Sequence, residues 1–404
     1  MPFLKVRPSR RLCLEILAVL AGLVTLGVMA WQLPTWHGLR IGAGQPVFGD
    51  FLSFWTAGRL ALEGKIALVH DPHALMAAHR EAIPGFTKYF PWHSPPVFLL
   101  ITAPLAALPY AIAGALFLIG SLTLYIIAMR GVLPDWRALI FPLASPTAIF
   151  QLGSTQVAFA MTSFYALAAR WLDRRPIAAG AAIALMAIKP HLAILWPIML
   201  AVRGRWRTFI AAGVFTAALV ALAGLVFGFE SYVRFINDLG AAQELVTRRG
   251  LPPNTLTSLY ANLVFLHVPH PLAIAAHGLS AAAALLLCLM VWRRDEADTS
   301  IAALTAGAML MSPYLFFYDS MVMAVGVAAL ARRRLNWIEI AVFALVFSLS
   351  AICLWGARKW TLPYGPAIAW AMLLTAATRA GVVSWPRPNL KRFKRKENAA
   401  AIPA

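Results

Sequence analysis

Acidic side chains are scarce in this chain. Of its 404 residues, 16 are Asp or Glu, against 35 Lys or Arg. Charged residues make up 13% of the whole and hydrophobic ones 61%. A soluble domain carries about 25% charged residues, so that class is excluded. The apolar residues fall in helix-length runs, not in short alternating strands, which points away from a membrane β-barrel. The expectation is an all-α polytopic membrane protein. Cysteine is also scarce. Cys13, Cys288 and Cys353 each lie inside an apolar run, with no disulfide or metal spacing, and read as small buried hydrophobes. There is no Walker loop, no Gly-x-Gly-x-x-Gly turn and no His-Glu-x-x-His helix, so a soluble nucleotide is not expected as direct substrate. The first long loop lacks an Asp-x-Asp pair, so no metal or other cofactor is expected. No internal repeat is evident.

What is abundant is basic charge, net +19. It sits between the apolar runs, as the positive-inside rule requires, and so does not imply a nucleic-acid partner. Lys5, Arg7, Arg10 and Arg11 precede an apolar run from Leu12 to Trp31. That run is too long for a signal-peptide core and reads as a retained first span. Placing Arg130, Arg137, the Arg170–Arg175 cluster, Arg203–Arg207, Arg293-Arg294, Arg332–Arg334 and the tail Lys391–Lys396 in the cytoplasm gives roughly twelve transmembrane helices with both termini inside. Spans are expected near Tyr110–Met129, Ala138–Phe150, Thr155–Arg170, Pro176–Ile188, His191–Val202, Thr208–Phe227, Pro271–Trp292, Thr299–Met311, Phe316–Ala331, Trp337–Leu354 and Leu362–Arg379. Residues 1–390 form a single transmembrane domain. It includes a large first outer loop with interfacial helices (34–109) and a second outer loop (228–270). Residues 391–404 form a basic cytoplasmic tail. The apolar run Ser94–Leu108 reads as a re-entrant or interfacial helix. Several spans fall short of the ~20 residues a bilayer needs, as helices do when they end early at a water-filled cavity.

This topology gathers the unusual polar residues on the outer face. Asp50 stands soon after the first span, ahead of the small and aromatic residues Ser53 to Arg59. It reads as a catalytic base or as a loop acid capping a helix. Lys189 interrupts the apolar stretch Ile177–Val202 beside the helix breaker Pro190. It reads as a phosphate ligand or as a snorkelling anchor. His93 and His191 suit either ligand binding or structural hydrogen bonding. Arg248-Arg249 and Arg358-Lys359 suit anion binding or solvation. Arg59, Gln156, Asn254, Tyr318 and Asp319 complete the candidate substrate-binding set. Trp55, Phe90 and Trp92 are placed either to stack on sugar faces or to anchor at the interface.

A set of short motifs recurs in order along the chain. They are Asp50-Phe51 with Phe54-Trp55 and Ala57-Gly58-Arg59, then Gly64 and His70-Asp71-Pro72. Ser94-Pro95-Pro96, Pro104-Leu105-Ala106 and Leu108-Pro109 follow, then Gly153–Gln156, Lys189-Pro190 and Ser312-Pro313-Tyr314 with Tyr318-Asp319. From about Arg11 to Leu330 the chain thereby resembles the polyprenyl-phosphate-dependent sugar transferases of the GT-C fold, and most of all glycosyltransferase family 87. The resemblance implies transfer of a sugar, often mannose, from a polyprenyl phosphate to a lipid or glycan acceptor outside the cytoplasm. It also implies an acid of the first outer loop as base, a role that falls on Asp50. Two departures stand out. Gly153-Ser154-Thr155-Gln156-Val157 replaces a common Gly-Gln-x-Asn, and His93-Ser94 replaces the usual tyrosine before the paired prolines.

The chemistry suits these residues. A polyprenyl phosphate is already an activated leaving group, and Lys189 would stabilise the charge it gains. A carboxylate would take the proton from the attacking hydroxyl. One base and one displacement would invert the anomeric centre. The expected setting is the inner (plasma) membrane, with the active site on its extracytoplasmic side. A transporter or flippase of lipid-linked glycans is the alternative, since broken helices with buried charges mark that class too. A non-enzymatic assembly protein is the third. Asp50 close to Lys189 favours the transferase.

Overall fold

The structure, a computed structural model, describes residues 37–41, 44–133, 143, 145–247, 255–353 and 364–384, with scattered residues between 12 and 30. Among these residues the only sheet is the hairpin β1 (Arg40–Ile41) and β2 (Gln45–Pro46). Most of the rest is helical. The first group is α1 (Phe51–Leu62), α2 (Pro72–Ala82), α3 (Leu99–Ala106) and α4 (Tyr110–Val132). Next come α5 (Pro146–Ser154), α6 (Ala158–Trp171), α7 (Pro176–Leu185), α8 (Pro190–Ala193), α9 (Leu195–Val202) and α10 (Trp206–Phe227). The last group is α11 (Glu230–Thr247), α12 (Leu259–Phe265), α13 (His270–Trp292), α14 (Ala297–Met311), α15 (Met323–Leu330), α16 (Trp337–Ala351) and α17 (Tyr364–Arg379).

Helix starts follow from local chemistry. Asp71 accepts the Ala74 N–H at 2.7 Å, with Pro72 in the first turn of α2. Ser145 caps α5 through the Ala148 N–H, and Pro146 fixes the first turn. Asn336 and Glu339 exchange bonds at the start of α16, accepting from backbone N–H groups at 2.9 and 2.7 Å.

Among the described residues, α4, α10 and α13 are long and apolar enough to cross a membrane. Six apolar segments are shorter, including Pro176–Ile188, Pro190–Val202 and Ala297–Met311. Helix α10 turns Ile210, Val214, Leu222, Leu225 and Val226 outward. An apolar exterior on this scale suits lipid, not water. Inside, α4 packs on α6, α7 on α10, and α14 on α13, α15 and α17.

One sequence expectation is corrected. The span drawn as Ala138–Phe150 does not end at Phe150: a helix begins at Pro146 and runs to Ser154, so Gln151 is helical and the turn falls at Thr155, in the left-handed region with φ 48°. Residues 134–142 of that span lie outside the described residues. The stretch 228–270, expected as the second outer loop, carries two helices of its own, α11 and α12. Phe229, Val233, Ile236 and Leu239 recur at helical spacing on one exposed face. That stripe was legible as amphipathic but lies in a segment marked mainly by its charges.

Small residues let the helices approach closely. A Cβ on Gly58 of α1 would sit 2.4 Å from the Thr102 carbonyl oxygen of α3. Backbone cannot swing aside as a side chain can. Gly58→Ala is therefore expected to destabilise the fold by about 1–3 kcal/mol, the usual range for overpacking. Thermal unfolding of the purified variant in detergent checks this, and an unchanged midpoint would refute the close packing of α1 on α3. Elsewhere, α16 and α17 are tied by Glu339 and Arg379, whose guanidinium donates at 2.5 and 2.8 Å and also reaches the Leu330 carbonyl.

Candidate active site

Asp50 lies where two chain segments cross. Gly49, at φ 38°, leaves no room for a Cβ, which would meet the Ser154 backbone at 2.8 Å. This close approach lets the Asp50 N–H donate to the Ser154 carbonyl at 2.8 Å, joining the start of α1 to the end of α5. Asp50 stands at the N-cap position of α1, yet its side chain makes no capping bond. The carboxylate turns instead to Gln156, whose Nε2 donates to Oδ2 at 3.0 Å. The simple capping role is thereby set aside. Burial raises the Asp50 pKa above the usual carboxylate range, and the Gln156 bond and the Lys189 charge offset this only in part.

Lys189 is held at a break in the helix path. A 3₁₀ turn, Met186–Ile188, ends at Lys189, and Pro190 opens α8. Its ammonium donates to Asp319 Oδ1 at 2.5 Å and lies 4.7 Å from the Tyr318 ring centroid. Asp319 is 1% exposed, and its Oδ2 accepts the Phe316 N–H at 3.2 Å. The Phe316 and Tyr318 rings stack at 5.2 Å. Asp50 and Asp319 both lie within electrostatic reach of Tyr318, and Lys189 within reach of Asp50. His191, the second residue of α8, carries a buried Nε2 with no hydrogen-bond partner among the described residues.

Asp50, Gln156, Lys189, His191, Tyr318 and Asp319 thus converge from four stretches of chain: the start of α1, the α5–α6 junction, the break that opens α8 and the turn Phe317–Val322. Lys189 is not the lone cation that the sequence suggested, because Asp319 neutralises it. No local pattern announces a pair 130 residues apart.

The other candidates sit elsewhere. Arg59 pairs with Glu63 at 2.9 Å on the surface of α1. Asn254, Arg248-Arg249 and Arg358-Lys359 lie outside the described residues. His93 belongs to a second cluster, with its Nδ1 2.7 Å from Asp238 Oδ2 and His70 Nδ1 at 3.3 Å from the same oxygen. Burial acts to raise the Asp238 pKa, but the two histidine bonds outweigh it and bring it down to about 2. Asp238 lies on α11, which touches the 3₁₀ turn Pro96–Phe98, and that turn packs on Met186–Ile188. Asp238 was not among the expected site residues; its partners His70 and His93 lie far away in the sequence. The two tryptophans, for which sugar stacking and interfacial anchoring were both open, pack in the interior: Trp92 is 2% exposed, with its face against Phe98, and Trp55 is 7% exposed, its Nε1 bonded to the Leu108 carbonyl. Phe90 is half-buried beside Phe86 and His79.

A lipid-facing helical chain with a carboxylate and an ammonium–carboxylate pair in its interior is a membrane-embedded protein with a polar site. The chain belongs to glycosyltransferase family 87, whose description matches residues 92–316. It is therefore a glycosyltransferase, an enzyme that transfers a sugar from a donor to an acceptor. The match takes in Gln156, Lys189 and His191; Asp50 precedes it, and Tyr318 and Asp319 follow it directly. No curated protein and no solved structure matches the chain.

Proposed function

We propose that the protein transfers a hexose, mannose, from a polyprenyl-phosphate donor to a lipid or glycan acceptor on the extracytoplasmic face of the inner membrane. Asp50 is the base that takes the acceptor proton. Lys189 meets the donor phosphate, and the product inverts at the anomeric carbon. The bilayer is the third partner, holding the prenyl chain beside the short helices. Roughly twelve crossings in one domain carry this site, with 34–109 and 228–270 outside and 391–404 in the cytoplasm. The observation that carries the reading is the convergence of Asp50 and Lys189, with Gln156 and Asp319 beside them, inside a lipid-facing helical protein.

The raised pKa of Asp50 supports the role of base, since a stronger conjugate base removes a hydroxyl proton more readily. The ion pair supports the role of Lys189, because a charged lysine is already held in the interior. The lipid-linked sugar profile of membranes tests the reading. Membranes holding active protein are expected to convert polyprenyl-phosphate mannose to a mannosylated acceptor, and membranes without it are not. Transfer from a nucleotide sugar alone, with the polyprenyl-phosphate donor left unused, would overturn it.

A further inference from the structure

We propose that Gln156 is the positioning residue for Asp50: its amide holds one carboxylate oxygen and leaves the other to accept the proton. The proposal rests on the reading of Asp50 as the base and adds how that base is aimed. Gln156 sits at the junction between α5 and α6. Its Oε1 accepts the Val157 N–H at 3.1 Å, and Val157 stands at the N-cap of α6. A backbone N–H can only donate, so the amide oxygen must face Val157 and the NH₂ must face Asp50. The orientation is thus fixed by the helix start and not by the side chain's own preference. Bonds in a chain polarise one another, so an amide that accepts from the N-terminal end of a helix donates more strongly to Asp50.

The geometry leaves a defined share of the carboxylate free. Among the described residues the Gln156 amide is the one side-chain donor to Asp50, and it takes Oδ2. The backbone fixes the other end of the residue through the Asp50 N–H to Ser154. Two contacts from either side of Thr155, to the Ser154 carbonyl and from the Gln156 amide, therefore set both the position and the rotation of the carboxylate.

An amide suits this task better than a cation. An arginine at this place would hold the carboxylate as firmly but would lower its pKa by about one to three units and weaken the base. The titratable and charged groups near Asp50 are Lys189 at the break before α8, Tyr110 at the start of α4 and Tyr318 in the turn Phe317–Val322. Lys189 is the only one carrying a positive charge, and Asp319 shares it.

The test needs no substrate. The ionisation of Asp50 is followed by infrared titration of the full-length protein in lipid nanodiscs, with the Asp50→Asn protein subtracted to assign the carboxyl band. Gln156→Met keeps the length of the side chain and removes its donor. It is expected to move the Asp50 midpoint up by about one pH unit or more, because only the ionised form loses a bond. Gln156→Glu places two carboxyls in contact and is expected to give a two-step titration in place of one. Should the methionine variant not fold, the glutamate variant decides. An Asp50 midpoint that stays put in a folded Gln156→Met, or a single unmoved step in Gln156→Glu, would overturn the proposal. The pH profile of sugar transfer then separates the two ideas. If the midpoint moves and the acid limb of kcat moves with it, both stand. If the midpoint moves while the acid limb does not, the Gln156 contact stands and Asp50 is not the base.

Discussion

Asp50→Asn is expected to cut sugar transfer by about 100-fold or more, within the range that general-base catalysis contributes. The substitution is close to isosteric. Asparagine offers a carbonyl oxygen to the Gln156 amide, and the backbone bond from residue 50 to Ser154 does not involve the side chain. The fold and donor binding should persist, so the loss should appear in kcat. The wild-type enzyme carries a linked signature. A base works only when ionised, and burial raises the Asp50 pKa. Transfer should therefore rise with pH through a midpoint above the usual carboxylate range of about 3.9, and the Asn variant should lose this limb. The measurement is initial rates of mannosyl transfer across pH for both proteins. An Asn variant with near-wild-type rates would remove Asp50 from the reaction.

The parts of this site differ in how readily the sequence revealed them, and the reason is range. Asp50 was legible because an acid is rare in so apolar a chain, and rarity needs no knowledge of contacts. Lys189 was legible as a charge inside the apolar stretch Ile177–Val202, with Pro190 marking the break. What the sequence did not reveal is pairing. Lys189 meets Asp319 across 130 positions, and Asp238 meets His93 across 145. Such contacts follow from tertiary packing and leave no local period. Likewise Trp55 and Trp92 carried an ambiguous signal, since an aromatic residue near an interface serves equally in a core. Their burial against Leu108 and Phe98 decides it. Helix α5 was misjudged at its ends because Ser145-Pro146 is a start signal that lay inside an apolar run drawn as continuous.

Lys189→Ala tests the phosphate site, but the Asp319 pair means that it must not be read alone. Removing the ammonium leaves a carboxylate that is 1% exposed without its cation. Breaking a buried pair from one side costs about 3–5 kcal/mol, so the single variant should lose stability whatever its part in catalysis. Donor affinity measured on that protein would mix the two effects. The double variant Lys189→Ala with Asp319→Asn separates them. With both charges gone the desolvation penalty disappears, and the thermal midpoint should return most of the way to that of the wild type. Donor binding should not return. A charge-assisted contact to the phosphate contributes about 1.5–3 kcal/mol, so affinity for a short-chain polyprenyl-phosphate mannose should stay at least about tenfold weaker in the double variant. Lys189→Arg keeps the charge and should preserve the pair with Asp319, yet its planar fork presents two donors where the ammonium presents a point. Partial recovery of binding is expected from it. Wild-type donor affinity in the stable double variant would make Lys189 the counter-ion of Asp319 and nothing more, and the donor phosphate would then need another cation.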